Sequence, residues 1–233
     1  IMDHTIAAIS TGVVKSGIGI VRMSGENSIE IGKRIFKSVS GKAINEEVNK
    51  KLLLGHIYDK ENLIDEVLIS FMYGPNTYTT EDMVEIYCHG SVISLKKIFE
   101  LLLREGASHA EKGEFTKRAF LNGRLDLSQA EAVQELIDAN TEKAYEASLN
   151  QLRGGLSEEI RKLRDMTQHL LANAEVIINF SEDEEYLDDT EIRRELREVR
   201  EEIEKLIDSS KKGRLIKDGI KTIILGKPNV GKS

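Results

Sequence analysis

The sequence predicts an α+β domain over residues 1–118, an all-α segment over residues 119–215, and, over residues 216–233, the first strand and phosphate loop of an α/β nucleotide-binding domain. Three observations carry this. β-Branched runs alternate with Gly- and Asn-containing turns up to about residue 119. Beyond it, apolar residues recur at steps of three and four. The last eight letters, "GKPNVGKS", fit G-x-x-x-x-G-K-[ST] directly after a short apolar run.

In the first segment "TIAAIS", "GIGIVRMS", "KLLLGHIYD", "EVLISFMYG" and "MVEIYCHG" read as strands. Between them "NSIEIGKRIFKSV" and "SVISLKKIFELLLREGA" have the spacing of helices packed on a sheet, the second stopping at Gly106. In "MVEIYCH" strand alternation puts Val84, Ile86 and Cys88 on one face and Glu85, Tyr87 and His89 on the other. The Glu85 face is therefore the wet or ligand-bearing one.

From about Ser128, Leu149, Leu152, Leu156, Ile160, Leu163, Thr167, Leu170, Ala174 and Ile177 form the stripe of one long helix. Gly154 and Gly155 mark a kink or a junction in it. A second helix runs through Ile192, Leu196, Val199, Ile203 and Leu206, with Asp188, Asp189 or Thr190 as its cap. Packing these helices on each other covers only part of their apolar stripes, so a further helical partner is expected. The acidic run "SEDEEYLDDTE" between them reads as a solvated loop with favourable charge at a helix N-terminus, rather than as a metal site.

"IKTIILG" reads as the strand that feeds the phosphate loop. Gly226 and Gly231 let backbone N–H groups turn inward around phosphate oxygens. Lys232 brings a positive charge to the β/γ-phosphates and the Ser233 hydroxyl can ligate magnesium. Asn229 and Val230 complete the nucleotide-binding set. The loop does not identify the nucleotide; guanine-specificity and switch segments would lie beyond Ser233, so the chain by itself is expected to hydrolyse none.

Composition excludes several classes. The net charge of −7 argues against a generally basic nucleic-acid coat. There is no run of eighteen apolar residues, and the start lacks a secretory pattern (Met2, rather than Ile1, reads as the initiator), so a cytoplasmic protein without a membrane span is expected. Cys88 is the single cysteine, which rules out an internal disulfide. In "CHG" it resembles half of a nucleophile or metal pair, but a half-buried strand cysteine is the simpler reading.

The stretches "DHTIAAIST…GIGIVRMSG", "PNTYTTEDMVEIYCHGS", "KGEFTKRAFLNGRLDLSQAEAVQELIDANT" and "GKPNVGKS" together resemble the tRNA-modification GTPase family MnmE (TrmE). The resemblance implies an N-terminal folate-binding domain, similar to the tetrahydrofolate domain of the glycine-cleavage T-protein, that forms a homodimer. A helical domain completed by distant C-terminal helices follows, with a Ras-like G domain inserted in it. On that scheme this chain is the leading part of a longer protein. The family works with the flavoprotein MnmG, as a heterotetramer, on the wobble uridine of certain tRNAs. The implied cofactors are 5-formyl- or 5,10-methylene-tetrahydrofolate, GTP, magnesium and potassium. The matching folate positions are Arg22, Glu85 and Arg124; Asn229 would ligate potassium and Ser233 magnesium. The resemblance matches no catalytic residue within the chain.

The chemistry of these positions is consistent. A carboxylate such as Glu85 can accept paired N–H bonds from a pterin edge, as it does from arginine. Arg22 and Arg124 can hold carbonyl or carboxylate groups, although an ordinary surface ion pair is the alternative for each. The chain departs from the family in three loops: "STGVVKSG" lacks the usual Pro-Pro-Gly, "CHGS" replaces Cys-His-Gly-Gly, and "AEKGEF" replaces Arg-Pro-Gly-Glu-Phe. Arg124 stands where many members have Lys, which keeps the charge and changes the hydrogen-bond geometry. Two competing readings are a ribosome-assembly GTPase, which leaves "GEFTKRAFLNGRLDL" unexplained, and a folate-binding dimerisation module alone.

Overall fold

The chain is described by a computed structural model covering residues 4–41, 43–179, 189–218, 223 and 225. It divides into two compact units, Ile1–Asp126 and Leu127–Ser233. The first is built on a seven-stranded sheet. Its strands are β1 (Ile6–Ile9), β2 (Ile18–Ser24), β3 (Phe36–Ser38), β4 (Leu52–Asp59), β5 (Asn62–Met72), β6 (Met83–His89) and β7 (Ser108–His109), in the order β3-β4-β5-β6-β2-β1-β7. All neighbours are antiparallel except β1 and β7.

Alternation sorts the sheet into two faces. Val21, Met23, Val67, Ile69, Phe71, Val84, Ile86 and Cys88 point into one core. That core is shared with α1 (Ser28–Ile35), through Ile29, Ile31 and Ile35, and with α2 (Val92–Arg104), through Leu95, Ile98, Leu101 and Leu102. The helices lie close because Gly19 and Gly32 leave no side chain in the way: a Cβ there would stand 2.7 Å from Leu95 and 2.8 Å from the Phe71 ring. The opposite face carries Ile18, Ile20, Arg22, Leu52, Leu54, Leu68, Ser70, Glu85 and Tyr87, of which Ile18, Leu52, Leu54 and Leu68 are exposed. The pairing Ser70↔Glu85 and Arg22↔Glu85 sets three polar side chains in a row across β5, β6 and β2.

Ser91 caps α2 by accepting from the Ile93 N–H. Its end is the expected Gly106, at φ 108°, where Ala107 N–H bonds Leu102 O and Gly106 N–H bonds Leu103 O. The helix read over "NSIEIGKRIFKSV" is shorter than expected: it stops at Ile35 and the chain continues as β3. Phe36 turns inward there, its ring meeting Phe71 edge-on at 6.2 Å, over the space left by Gly55. Packing of one aromatic residue overrides the helical period.

The composition change near residue 119 falls inside α3 (Glu114–Leu121), whose buried Arg118 and Ala119 belong to the first unit. The unit therefore runs on to Asp126.

The second unit contains α4 (Leu127–Asp138), α5 (Glu142–Leu152), α6 (Gly155–Asn179) and α7 (Asp189–Asp218). Of the kink or junction expected at Gly154 and Gly155, the junction is found: the apolar stripe through Leu149–Ile177 runs over two helices. Gly154, at φ 91°, supplies the left-handed residue at the junction between α5 and α6. Gln129 Nε2 donates to Leu152 O at 3.0 Å and Gln151 Nε2 to Ser128 O at 2.9 Å, joining α4 and α5. Leu170 and Val199 are buried, whereas Leu156, Ile160, Leu196 and Ile203 stay exposed. α7 covers the expected second helix, and of its candidate caps Asp188 lies outside the described residues. Most of the "IKTIILG" run and all of Gly226–Ser233 also lie outside them. Among the described residues no helix is long and apolar enough to cross a membrane.

Candidate functional site

The site grows from the open face of the sheet. β6 presents Glu85, whose carboxylate is held at both oxygens. Arg22 Nε donates to Oε1 at 2.9 Å and Tyr87 Oη donates to Oε2 at 2.6 Å. The side chains of Arg22 and Glu85 are 29% and 16% exposed, so this is a half-buried pair and not the surface ion pair considered above. The hydrogen bond to Glu85, then burial, then the Glu85 charge push the Tyr87 hydroxyl up to about 12, against the opposing charge of Arg22. Tyr87 therefore stays a donor across the physiological range, leaving the second lone pair of each Glu85 oxygen for a further donor.

The β5–β6 loop and α3 build the walls. Arg22 Cζ lies 5.9 Å from the Tyr78 ring centroid and 5.5 Å from that of Phe115. Arg124 Cζ lies 4.7 Å from the Tyr78 ring, and Arg124 Nη1 donates to Tyr78 O at 3.3 Å. Tyr78 thus links the two arginines, bringing Arg22, Glu85 and Arg124 into one neighbourhood. Of the three, Arg124 lines a cleft of about 630 Å³, together with Met72, Asn76, Tyr78, Thr80 and Asn122, whereas Arg22 and Glu85 reach it only through Tyr78. It is a shallow cleft, open to solvent along much of its length.

Sequence reasoning missed Tyr78, Tyr87 and Phe115 as site residues. Alternation had already put Tyr87 beside Glu85, which was a usable signal. Tyr78 and Phe115 lie in a loop and on a short helix, and only tertiary contact reveals them.

Cys88 is 3% exposed, and its Sγ donates to Gly19 O at 3.4 Å. Burial raises its thiol above the ordinary value, so it is a packing residue and a poor nucleophile. The neighbouring His89 turns to Asp65, whose carboxylate receives His89 Nδ1 at 2.7 Å, the His89 backbone N–H at 3.1 Å and the Ser94 hydroxyl. Among the described residues no group of three or more His, Cys, Asp or Glu could hold a metal. Most of the acidic run at 181–191 lies outside the described residues, as do Gly226, Asn229, Val230, Gly231, Lys232 and Ser233.

The His89–Asp65 pair predicts a pH window for stability. The Asp65 hydrogen bond and charge raise His89 above 6.5, so its contribution is full below that value and lost as pH rises through the raised one. Burial works to raise Asp65, but the Ser94 and His89 bonds outweigh it and hold it below 3.8. Its contribution is full above 3.8 and lost as pH falls through the lowered value. The difference in thermal midpoint between wild type and Asp65→Asn is therefore expected to be greatest near pH 5 and to shrink above pH 7. A difference that is flat with pH would count against the pair.

Comparison with known proteins gives consistent matches. The profile of the GTP-binding protein TrmE N-terminus matches residues 5–124, and that of the MnmE helical domain matches residues 127–229. The tRNA modification GTPase MnmE of Clostridioides difficile (strain 630) is 51% identical over 233 residues, which is all of this chain and 51% of the relative. That of Finegoldia magna is 50% identical over 233 residues, with the same coverage. The Geobacillus kaustophilus protein of the same name is 46% identical over 233 residues, covering 98% of this chain and 50% of the relative. The chain spans about half the length of these curated relatives. With its α+β first unit and helical second unit each matched in turn, the chain belongs to the MnmE (TrmE) family.

Proposed function

We propose that the chain is the folate-binding and helical part of a GTP-hydrolysing protein of tRNA wobble-uridine modification. The observation that carries the reading is the half-buried Arg22–Glu85–Tyr87 cluster, flanked by Tyr78 and Arg124, beside a cleft of about 630 Å³. The donor set fits a reduced folate. Glu85 keeps acceptor capacity for the N–H groups of a pterin edge. Arg124, with Asn76 and Asn122 near it, offers donors to carbonyl or carboxylate groups. The folate, as 5-formyl- or 5,10-methylene-tetrahydrofolate, would supply the one-carbon unit, while this chain's residues bind and orient it.

The remaining proposals rest on family membership. GTP and magnesium would bind at Gly226–Ser233, with Asn229 on potassium and Ser233 on magnesium. The exposed Ile18, Leu52, Leu54 and Leu68 on the open sheet face support a homodimer through the first unit. The exposed Ile160 and Ile203 support a helical domain completed by chain beyond this sequence. The flavoprotein MnmG and tRNA would be partners of the whole, in the cytoplasm.

Calorimetric titration of the chain with 5-formyltetrahydrofolate tests the central reading. Saturable binding of one ligand per chain is the expected result. An absence of heat and of any thermal-shift stabilisation at millimolar ligand would overturn it.

A further inference from the structure

Arg118 is the largest fully buried side chain among the described residues, at 1% exposure. Its Nη1 donates to both oxygens of Glu81, at 3.2 and 3.0 Å. Its Nη2 donates to Glu114 Oε1 at 3.0 Å and to His4 O at 3.1 Å. Nε has no hydrogen-bond partner among the described residues. Burial works to raise the Glu114 carboxyl, but the Glu111 N–H and the Arg118 bond and charge overcome it and hold it below the ordinary value. A buried ion cluster that leaves one N–H orphaned is a poor way to maximise stability. Its evident product is geometry.

That geometry reaches the candidate site from two sides. Glu81 Oε2 accepts from Ser24 Oγ at 2.7 Å, and Ser24 Oγ lies 2.6 Å from Thr79 Oγ1. The loop so anchored carries Tyr78 and also Thr80, a β-branched residue at φ 65°. Such a conformation persists only where surrounding bonds over-determine it. Thr77 Oγ1 donates to Glu81 O at 2.6 Å and Asn122 Nδ2 to Thr79 O at 2.7 Å, completing the restraint. On the other side, α3 carries Phe115 beside Arg22, and Thr116, whose Oγ1 is 3.0 Å from Tyr78 Oη. Arg118 is thus bonded to the loop through Glu81 and to its own helix through Glu114.

We propose that Arg118 is a positioning residue for the candidate folate site. By clamping Glu81 and Glu114 it holds the strained Tyr78 loop and α3 together, so that Tyr78 and Phe115 fix Arg22 and Arg124 in their binding orientation. It is not among the cleft's lining residues and acts through these neighbours. The inference rests on the folate reading above for the ligand, and on the structure for the aromatic it positions. Arg118→Lys keeps the charge but replaces the planar fork with a point donor that cannot span both carboxylates.

The test uses the chain labelled with carbon-13 at tyrosine Cζ, the Tyr78 resonance being assigned with Tyr78→Phe. In Arg118→Lys the ligand-free Tyr78 resonance is expected to shift or broaden, and 5-formyltetrahydrofolate to bind about tenfold more weakly. Glu81→Gln, which leaves the Arg118–Glu114 pair in place, is expected to move the same resonance and carries the test should Arg118→Lys fail to fold. Variants that lose stability while Tyr78 and the affinity stay as in wild type would reduce Arg118 to a buried structural ion and overturn the proposal. A wild type that binds no folate, with Tyr78 still moved by both substitutions, would overturn the folate reading and leave the positioning role standing.

Discussion

Glu85→Ala is expected to weaken binding of 5-formyltetrahydrofolate by about a hundredfold, the loss associated with truncating one partner of a hydrogen-bonded charge pair that the bound ligand would cover. Two effects add. The ligand loses its charged acceptor, and Arg22 Nε and Tyr87 Oη lose theirs, since both are held by the same carboxylate. Arg22 is then free to turn within the site, between Tyr78 and Phe115. Because the pair is only half-buried, the cost to folding is smaller, about 1 kcal/mol. The signature is therefore a large change in affinity with a modest change in thermal midpoint, read by calorimetry and melting on the same sample. An unchanged Kd in Glu85→Ala would remove Glu85 from the site.

Phe71→Ala is expected to have the largest effect on stability, about 3–5 kcal/mol, as for other buried aromatic truncations. Phe71 is fully buried; its ring meets Phe36 of β3 on one side and the glycine face of α1, at Gly32, on the other. The cavity left behind cannot be filled by a helix that already lies close. Against a typical domain stability of about 5–15 kcal/mol, such a loss is a large share. Urea denaturation is the measurement, and a loss below about 1 kcal/mol would mean that the Phe36–Phe71–α1 packing is not as described. Ligand affinity should fall as well, because Phe71 lies next to Met72, which lines the cleft.

Much of this was legible in the sequence because alternation is a strong signal where one sheet face is buried. β1, β2, β4, β5 and β6 stand where their β-branched runs put them, and Glu85 and Tyr87 lie on the face opposite Val84 and Ile86. Gly106 ends α2 as its conformation requires. What escaped depends on tertiary partners. β3 follows from where Phe36 finds room, and β7 is two residues that pair only because β1 offers an edge. Arg118, in "FTKRAF", looks like any charged residue on a surface helix, and nothing local reveals that Glu81 awaits it. In the second unit the glycine pair signalled a break, but a stripe of apolar residues keeps its spacing across a tight junction, so the stripe alone could not tell a kink from the two helices that meet at Gly154.

The row Ser70–Glu85–Arg22 spans three neighbouring strands, and its members meet only through one register of pairing. A slip of one residue would turn Glu85 into the core and bring Val84 to the open face of the sheet, so the row exists only in the folded register. Occupancy and folding then become a single equilibrium. A ligand held by that row acts as a staple closed by mass action, adding about 2.7 kcal/mol to the unit's stability at a hundred times its Kd.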